Sequence, residues 1–204
     1  MPRLCSRPGW SALRAILLCL LFAGLRNDCM AQQVQVTLDP AQTKITISVQ
    51  DVHGGFQGSF RLTRGLVTFD RSTGKASGEI VVDAKSGDTG IQKRNRKMNN
   101  EVLESDRYPQ IVFVPKRVIG NVAAQGSSNI EIQGIFRVHG ADHDLTLPAA
   151  VQVSGDRVTA TTNFVVPYES WGMKNPSILF LHVDGKAEVT VSAAGRIAST
   201  NPTR

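Results

Sequence analysis

The sequence predicts an all-β fold, an antiparallel sandwich or up-and-down barrel of eight or nine strands with one short amphipathic helix. Three observations predict it. From Val34 onward apolar and polar residues alternate through most of the chain, the period of strands with one buried and one wet face. Turn-forming clusters punctuate the runs at Ser72-Thr73-Gly74, Gly126-Ser127-Ser128, Gly140-Ala141-Asp142 and Ser154-Gly155-Asp156. No crossover helix separates one strand from the next, which argues against α/β order. Closing such a sheet on itself would also remove the edges that long strands expose.

Residues 1–31 read as a secretory leader rather than as part of that fold. Arg3, Arg7 and Arg14 precede the uncharged run AILLCLLFAGL over 15–25, which has signal-peptide length and is too short to cross a bilayer. Cys29-Met30-Ala31 supplies small residues at the first and third positions, so cleavage is expected after Ala31, with the product periplasmic or secreted. Retention of the run as an N-terminal anchor is the alternative. Cys5, Cys19 and Cys29 all lie in the leader, so the remaining chain has neither disulfide nor thiol chemistry. The leader also holds four arginines and one aspartate. Without it the balance is 19 basic to 16 acidic residues, a net charge of +3 that gives little reason to expect a polyanion partner.

Strands are expected near 34–39, 43–51, 58–70, 76–84, 109–120, 128–139, 143–154, 156–168 and 178–194. In KITISVQ, Ile45, Ile47 and Val49 share a face, and in NIEIQGIFRV, Ile130, Ile132, Phe136 and Val138 do. Leu145, Leu147, Val151 and Val153 form the next apolar row, and Val158, Ala160, Phe164 and Val166 the one after. The last run sets Leu179, Leu181, Val183, Val189 and Val191 against His182, Asp184, Lys186 and Glu188. Pro115 and Pro148 fall inside strand-like runs and should mark a bulge, a bend or an edge. The end of the chain, 195–204, carries few apolar residues and is expected to be disordered.

One segment has helical spacing. Thr89-Gly90-Ile91-Gln92 matches a capping box with Asp88 beside it, and Ile91, Met98 and Val102 then recur at i, i+7 and i+11 with Leu103 adjacent. Tyr108-Pro109 stops it. The basic residues Lys93, Arg94, Arg96 and Lys97 flank and oppose that apolar stripe. Export, modest charge and the lack of interleaved aromatics speak against nucleic acid. They serve either as a solvated helix face or as a grip for an anionic head group.

Candidate catalytic groups are sparse. His139 and His143 flank a turn, His53 precedes Gly54-Gly55 and His182 falls on a polar face; there is no HExxH and no GxSxG. The histidines are expected to be solvated or hydrogen-bonded rather than metal ligands. Phe56, Phe60, Phe69, Phe113, Phe136, Phe164 and Phe180 are spread about one per strand, which suits a core. It suits equally a barrel wide enough to hold one small ligand, with the helix and Met98 over an opening.

Four stretches carry a resemblance that spans roughly Val34 to Ala193: LDPAQTKITISVQDVHGGFQGSF, GEIVVDAKSGDTGIQKRNRKMNNEVLESDRYPQIVF, IQGIFRVHGADHDLTLP and VPYESWGMKNPSILFLHVDGKAEVTV. This order resembles the YceI-like family of exported, lipocalin-like barrels that bind polyisoprenoids or related long-chain lipids. The resemblance implies an antiparallel barrel around a long apolar tunnel, no catalytic residues, no metal and no cofactor. Its ligand would be an isoprenoid quinone, a polyprenyl phosphate or another fatty lipid. His53 matches the family's histidine after the second strand, and Arg94 the arginine of its Arg-Asp helix motif. Asn95 stands for that aspartate, Lys97 for a histidine and Met98 for a leucine. The segment 94–108 is about one residue shorter than usual and lacks a double phenylalanine, marks of a side branch.

The sequence thus predicts a leader over 1–31, a lipocalin-like barrel domain over 32–194 and a tail over 195–204. The expected function is non-enzymatic holding of a long-chain lipid, with tunnel and mouth residues His53, Phe56, Phe60, Ile91, Arg94, Met98, Val102, Phe113, Phe136, Phe164 and Trp171. Partners would be a small-molecule lipid and no nucleic acid, with brief membrane contact and homodimer formation compatible with that role. A filled barrel acting as an envelope or protein-interaction module is the alternative, and a metal-dependent hydrolase the least favoured.

Overall fold

Nine antiparallel strands close into a barrel of eight staves in the computed structural model, which describes residues 33–177 and 182–200. In chain order they are β1 (Gln33–Leu38), β2 (Lys44–Val49), β3 (Phe56–Asp70), β4 (Ala76–Asp88), β5 (Gln110–Ile119), β6 (Gly126–Val138), β7 (Ala141–Ser154), β8 (Arg157–Val166) and β9 (Ala187–Thr200). Neighbours in sequence pair from β2 to β9, and β9 returns to β2 through Ile45↔Val191 and Ile47↔Val189. The proposed leader lies outside the described residues.

Nine strands fit eight staves because β1 and β2 share one. Both lie between β3 and β9: β1 pairs Val34↔Phe69 and Val36↔Ile197, while β2 pairs Ile45↔Phe60 and Thr46↔Thr190. The break between them is a turn in which the Asp39 carboxylate accepts the Ala41 amide and the Gln42 side-chain amide. Such a kink bends the stave without opening the ladder to solvent on either side.

Alternation then fixes what faces inward. Along β7, Leu147, Ala149, Val151 and Val153 are buried while Thr146, Pro148, Ala150 and Gln152 are exposed. Along β8, Val158, Ala160, Thr162, Phe164 and Val166 turn inward between exposed neighbours. Pro115 coincides with a register shift in the β5–β6 ladder, and Pro148 stands just before the β7–β8 ladder begins at Ala149. Gly134 interrupts the β6 apolar row because a Cβ there would stand 2.5 Å from the Val114 carbonyl oxygen and 2.7 Å from the Phe113 ring. Its bare backbone is what lets that ring lie against the strand.

Two apolar clusters occupy the two ends of the interior. One gathers Val34, Phe69, Val118, Val122, Ile130, Val151, Val153 and Val158, and closes its end of the barrel. The other gathers Ile45, Phe60, Leu62, Val138, Val166, Tyr168, Met173 and Val189, with Met98, Phe136 and Phe164 against it. Each such aliphatic side chain removed from water contributes about 1.5–3 kcal/mol.

Three expectations from the sequence are corrected. Residues 195–200 are the end of β9, paired to β1 from Gln33↔Thr200 to Leu38↔Gly195. Small residues permit this closure: a Cβ on Gly195 would collide with the Thr37 carbonyl oxygen. Backbone pairing and a single inward Ile197 suffice where apolar content is low. The ninth strand also starts later than 178, because Val183 makes only an isolated bridge to Asp51 and Gly185 abuts the Glu169 side chain. Leu179, Phe180 and Leu181 lie outside the described residues.

The third correction concerns the helix. α1 spans Gln92–Lys97 and passes into a π turn over Met98–Val102. No capping box forms: Ile91 is the N-cap, without a side-chain cap. The polar anchor runs the other way. Asn95 Oδ1 accepts the Thr89 amide (2.8 Å) and hydroxyl (2.7 Å), and Asn95 Nδ2 donates to Asp88 Oδ1 (2.8 Å). Asp88 also accepts the Gly90 amide at 2.9 Å, and these bonds hold its carboxyl below the usual carboxylate range.

Candidate functional site

The barrel interior is not filled. A cavity of about 600 Å³ runs through it and is lined from every stave. Val118, Val122, Ile130, Val158 and Ile197 border its closed end; Leu62, Val82, Leu147, Ala160 and Val191 line its middle. Its charged lining residues, among those described, are Asp51, Lys93, Arg94 and Lys97, all at the opposite end. An apolar chamber with charge confined to one mouth is the central geometric fact of the molecule.

Three segments frame that mouth: the β2–β3 turn after Asp51, the α1 and π-turn region, and the connection from Pro167 to Lys186. The Arg94 guanidinium lies 4.2 Å from the centroid of the Phe56 ring, a cation–π contact that fixes its head over the opening. Lys97 Nζ donates to the Pro176 carbonyl at 2.6 Å, and Lys174 pairs with Glu101 at 2.6 Å, so two ties join the helix to the 167–177 segment. The Lys174 hydrogen bond holds the Glu101 carboxyl low. Lys93 makes no hydrogen bond or ion pair among the described residues. The Asp51 carboxylate accepts the Gly55 amide at 2.9 Å and the His53 amide at 2.7 Å, and these amides hold its pKa below the usual range.

Tyr168 closes the far side of this end. Its hydroxyl donates to the Asp184 carbonyl, its ring is buried beside Met173 and Val183, and burial first, then Glu169 and Asp184, pushes its pKa up to about 12. It is a structural strut rather than a proton carrier at neutral pH.

Of the residues singled out in the sequence, Phe56, Phe60, Ile91, Arg94, Met98, Val102, Phe113, Phe136 and Phe164 line the cavity. His53 and Trp171 do not. His53 is exposed in the β2–β3 turn, where only its backbone amide is engaged. Trp171 stacks on His143 with ring centroids 3.9 Å apart and packs its edge against Phe136 at 5.9 Å. His143 and His139 therefore differ from expectation: both Nε2 atoms are buried without a hydrogen bond, and His139 sits 4.8 Å from the Tyr108 ring. Among the described residues, no three His, Cys, Asp or Glu side chains converge as a metal-binding group.

The basic run also needs correction. It does not simply oppose the apolar stripe, because Lys93, Arg94 and Lys97 reach the mouth while Arg96 is exposed. The π turn is the cause. Leu103 N donates to Met98 O, five residues back, so the inward face advances past the 3.6-residue stripe and Leu103 joins Met98 and Val102 inside. Lys93, Lys97, Tyr168 and Met173 were not singled out as cavity residues, and the spacing around the basic run gave no sign of which side it faced.

The YceI-like domain model matches residues 36–195. The chain belongs to the YceI-like family. No curated protein is significantly similar to it in sequence. Among solved structures, BcnA of Burkholderia cenocepacia superposes with a TM-score of 0.63 at 19% identity, over 79% of this chain and 99% of that one. A polyisoprenoid-binding domain of Saccharophagus degradans, described as implicated in plant cell wall breakdown, gives 0.62 at 14% identity, over 80% and 98%. The YceI protein of Campylobacter jejuni gives 0.50 at 13%, over 67% and 83%. At these identities the likeness is one of fold, and the YceI-like barrel described above is that shared fold.

Proposed function

We propose that this YceI-like protein is an exported, non-catalytic carrier or store for a long-chain lipid of the isoprenoid quinone or polyprenyl phosphate class. The chain lies in the barrel cavity and the polar or anionic head lies at Lys93, Arg94 and Lys97. The observation that carries this reading is the apolar cavity whose charges are gathered at one mouth. At ~30 Å³ per water-sized group, about 600 Å³ accommodates roughly 20 methylene-sized groups, a chain of about 20 carbons. The Saccharophagus degradans neighbour, a polyisoprenoid-binding domain, supports the same ligand class.

Chemistry at the mouth agrees with binding. Arginine and lysine grip a phosphate or a quinone oxygen through charge-assisted hydrogen bonds. Asp51 is committed to two backbone amides and is no free base. The test is native mass spectrometry of the protein purified from its own cells, followed by organic extraction. A stoichiometric mass excess that extraction removes, and that proves to be an isoprenoid lipid, supports the reading. A clean apo mass from lipid-rich cells overturns it in favour of an interaction module with an unused cavity.

A further inference from the structure

Five large apolar side chains among the described residues are exposed: Val52, Leu66, Ile91, Ile119 and Val165. Leu66, Ile119 and Val165 stand on β3, β5 and β8, on the outer wall of the barrel. Val52 and Ile91 are different. At 58% and 49% they are the two most exposed of the set, and both sit at the mouth. Val52 follows the lining residue Asp51 in the β2–β3 turn; Ile91 borders the mouth directly and precedes α1. The two loops adjoin, since Arg94 of α1 covers Phe56 and the backbone at Gly58 abuts Asp88 and Thr89.

Charge around these two tips is one-sided in what it leaves available. Lys93 and Arg96 are exposed and make no hydrogen bond or ion pair among the described residues. The neighbouring carboxylates are occupied, Asp51 by the His53 and Gly55 amides and Asp88 by the Gly90 amide and Asn95. The rim therefore offers two aliphatic tips beside two free cations. A protein partner would want a larger apolar patch, whereas isolated aliphatics among cations match the boundary between acyl chains and anionic head groups.

We propose that this rim docks the open end of the barrel on an anionic lipid bilayer, Val52 and Ile91 dipping into the head-group boundary while Lys93 and Arg96 face anionic lipids. The inference rests on the lipid-carrier reading, because it supplies the route by which a chain enters the cavity without crossing water. With so few contacts the docking is brief and salt-sensitive: each lysine or arginine near an anionic surface adds about fivefold to partitioning.

The experiment is sedimentation of the naturally processed protein with vesicles of phosphatidylglycerol and phosphatidylcholine, against vesicles of phosphatidylcholine alone. Expected is partitioning on the anionic vesicles that high salt removes and neutral vesicles largely lack. Val52→Asp should lower it roughly tenfold or more, and Arg96→Glu about fivefold or more. Leu66→Asp, on the outer wall, should leave it unchanged. Neither Val52 nor Arg96 lines the cavity, so extractable lipid should stay the same in both variants. Equal binding to neutral and anionic vesicles, no binding at all, wild-type binding by both rim variants, or an equal loss in Leu66→Asp would each overturn the docking. A protein that docks in the expected pattern but carries no lipid upholds the docking and removes the carrier reading instead.

Discussion

Replacing Ala160 by phenylalanine should block the cavity without unfolding the barrel. Ala160 lies on β8 between Val158 and Thr162, faces the cavity and pairs with Val151 across the ladder. Its methyl is only half-buried although its face is the interior, because empty space stands in front of it. A phenyl ring there enters that space instead of displacing packed atoms, so the usual penalty for overpacking, about 1–3 kcal/mol, should be largely absent. The ring takes the room of about five methylene groups, which at ~0.8 kcal/mol each costs a long-chain ligand about 4 kcal/mol, roughly a thousandfold in Kd. The assay is isothermal titration with a 20-carbon isoprenoid alcohol, with thermal unfolding of each variant alongside. Wild-type affinity in a variant that melts like the parent would refute the placement of the chain. A variant that fails to fold would show instead that the space beside Ala160 is less open than described.

Further outcomes follow from the same geometry. Across a series of isoprenoid or fatty alcohols, affinity should rise about fourfold per methylene and level off near about 20 carbons, where the cavity is full; continued rise with longer chains would mean the tail leaves the barrel. Asn95→Leu strands the Thr89 amide and hydroxyl, so at about 1–3 kcal/mol for orphaned donors the amides of 89–97 should exchange with deuterium roughly tenfold to a hundredfold faster, while the barrel strands stay protected. Because the Tyr168 pKa is raised from 10.0 to about 12, its contribution to stability is fully present below pH 10.0 and is lost as pH rises through about 12. A melting temperature that falls in that alkaline window in the parent but not in Tyr168→Phe checks it, and Tyr108→Phe, which removes the chain's other tyrosine, should behave as the parent.

What the sequence revealed and what it hid have physical reasons. Period-two alternation made most staves legible, since Leu147, Ala149, Val151 and Val153 on β7 must all turn inward together. The shared stave was hidden, because a kink at Asp39 and a hairpin turn look alike in sequence; only the common pairing of β1 and β2 with β3 and β9 tells them apart. The chain's end was misjudged because strand closure there depends on small residues at Gly195 and Ala198 rather than on apolar ones. The phenylalanines that line the cavity were found by type, yet nothing in their spacing said whether they fill a core or border a space. Trp171 was drawn away from the cavity by His143, a long-range stack that no local pattern encodes. The basic run was visible at once, but its orientation depends on a π turn that breaks the 3.6-residue rule used to read it.

The account rests on a lipid chain lying in the barrel, and a crystal structure of the protein purified with its native ligand tests that most directly. Continuous density running from beside Val158 and Ile197, past Phe136 and Phe164, to a head group within hydrogen-bond reach of Lys93, Arg94 or Lys97 is the predicted result. An interior holding only water or collapsed side chains, in a preparation shown to contain the lipid, would contradict it.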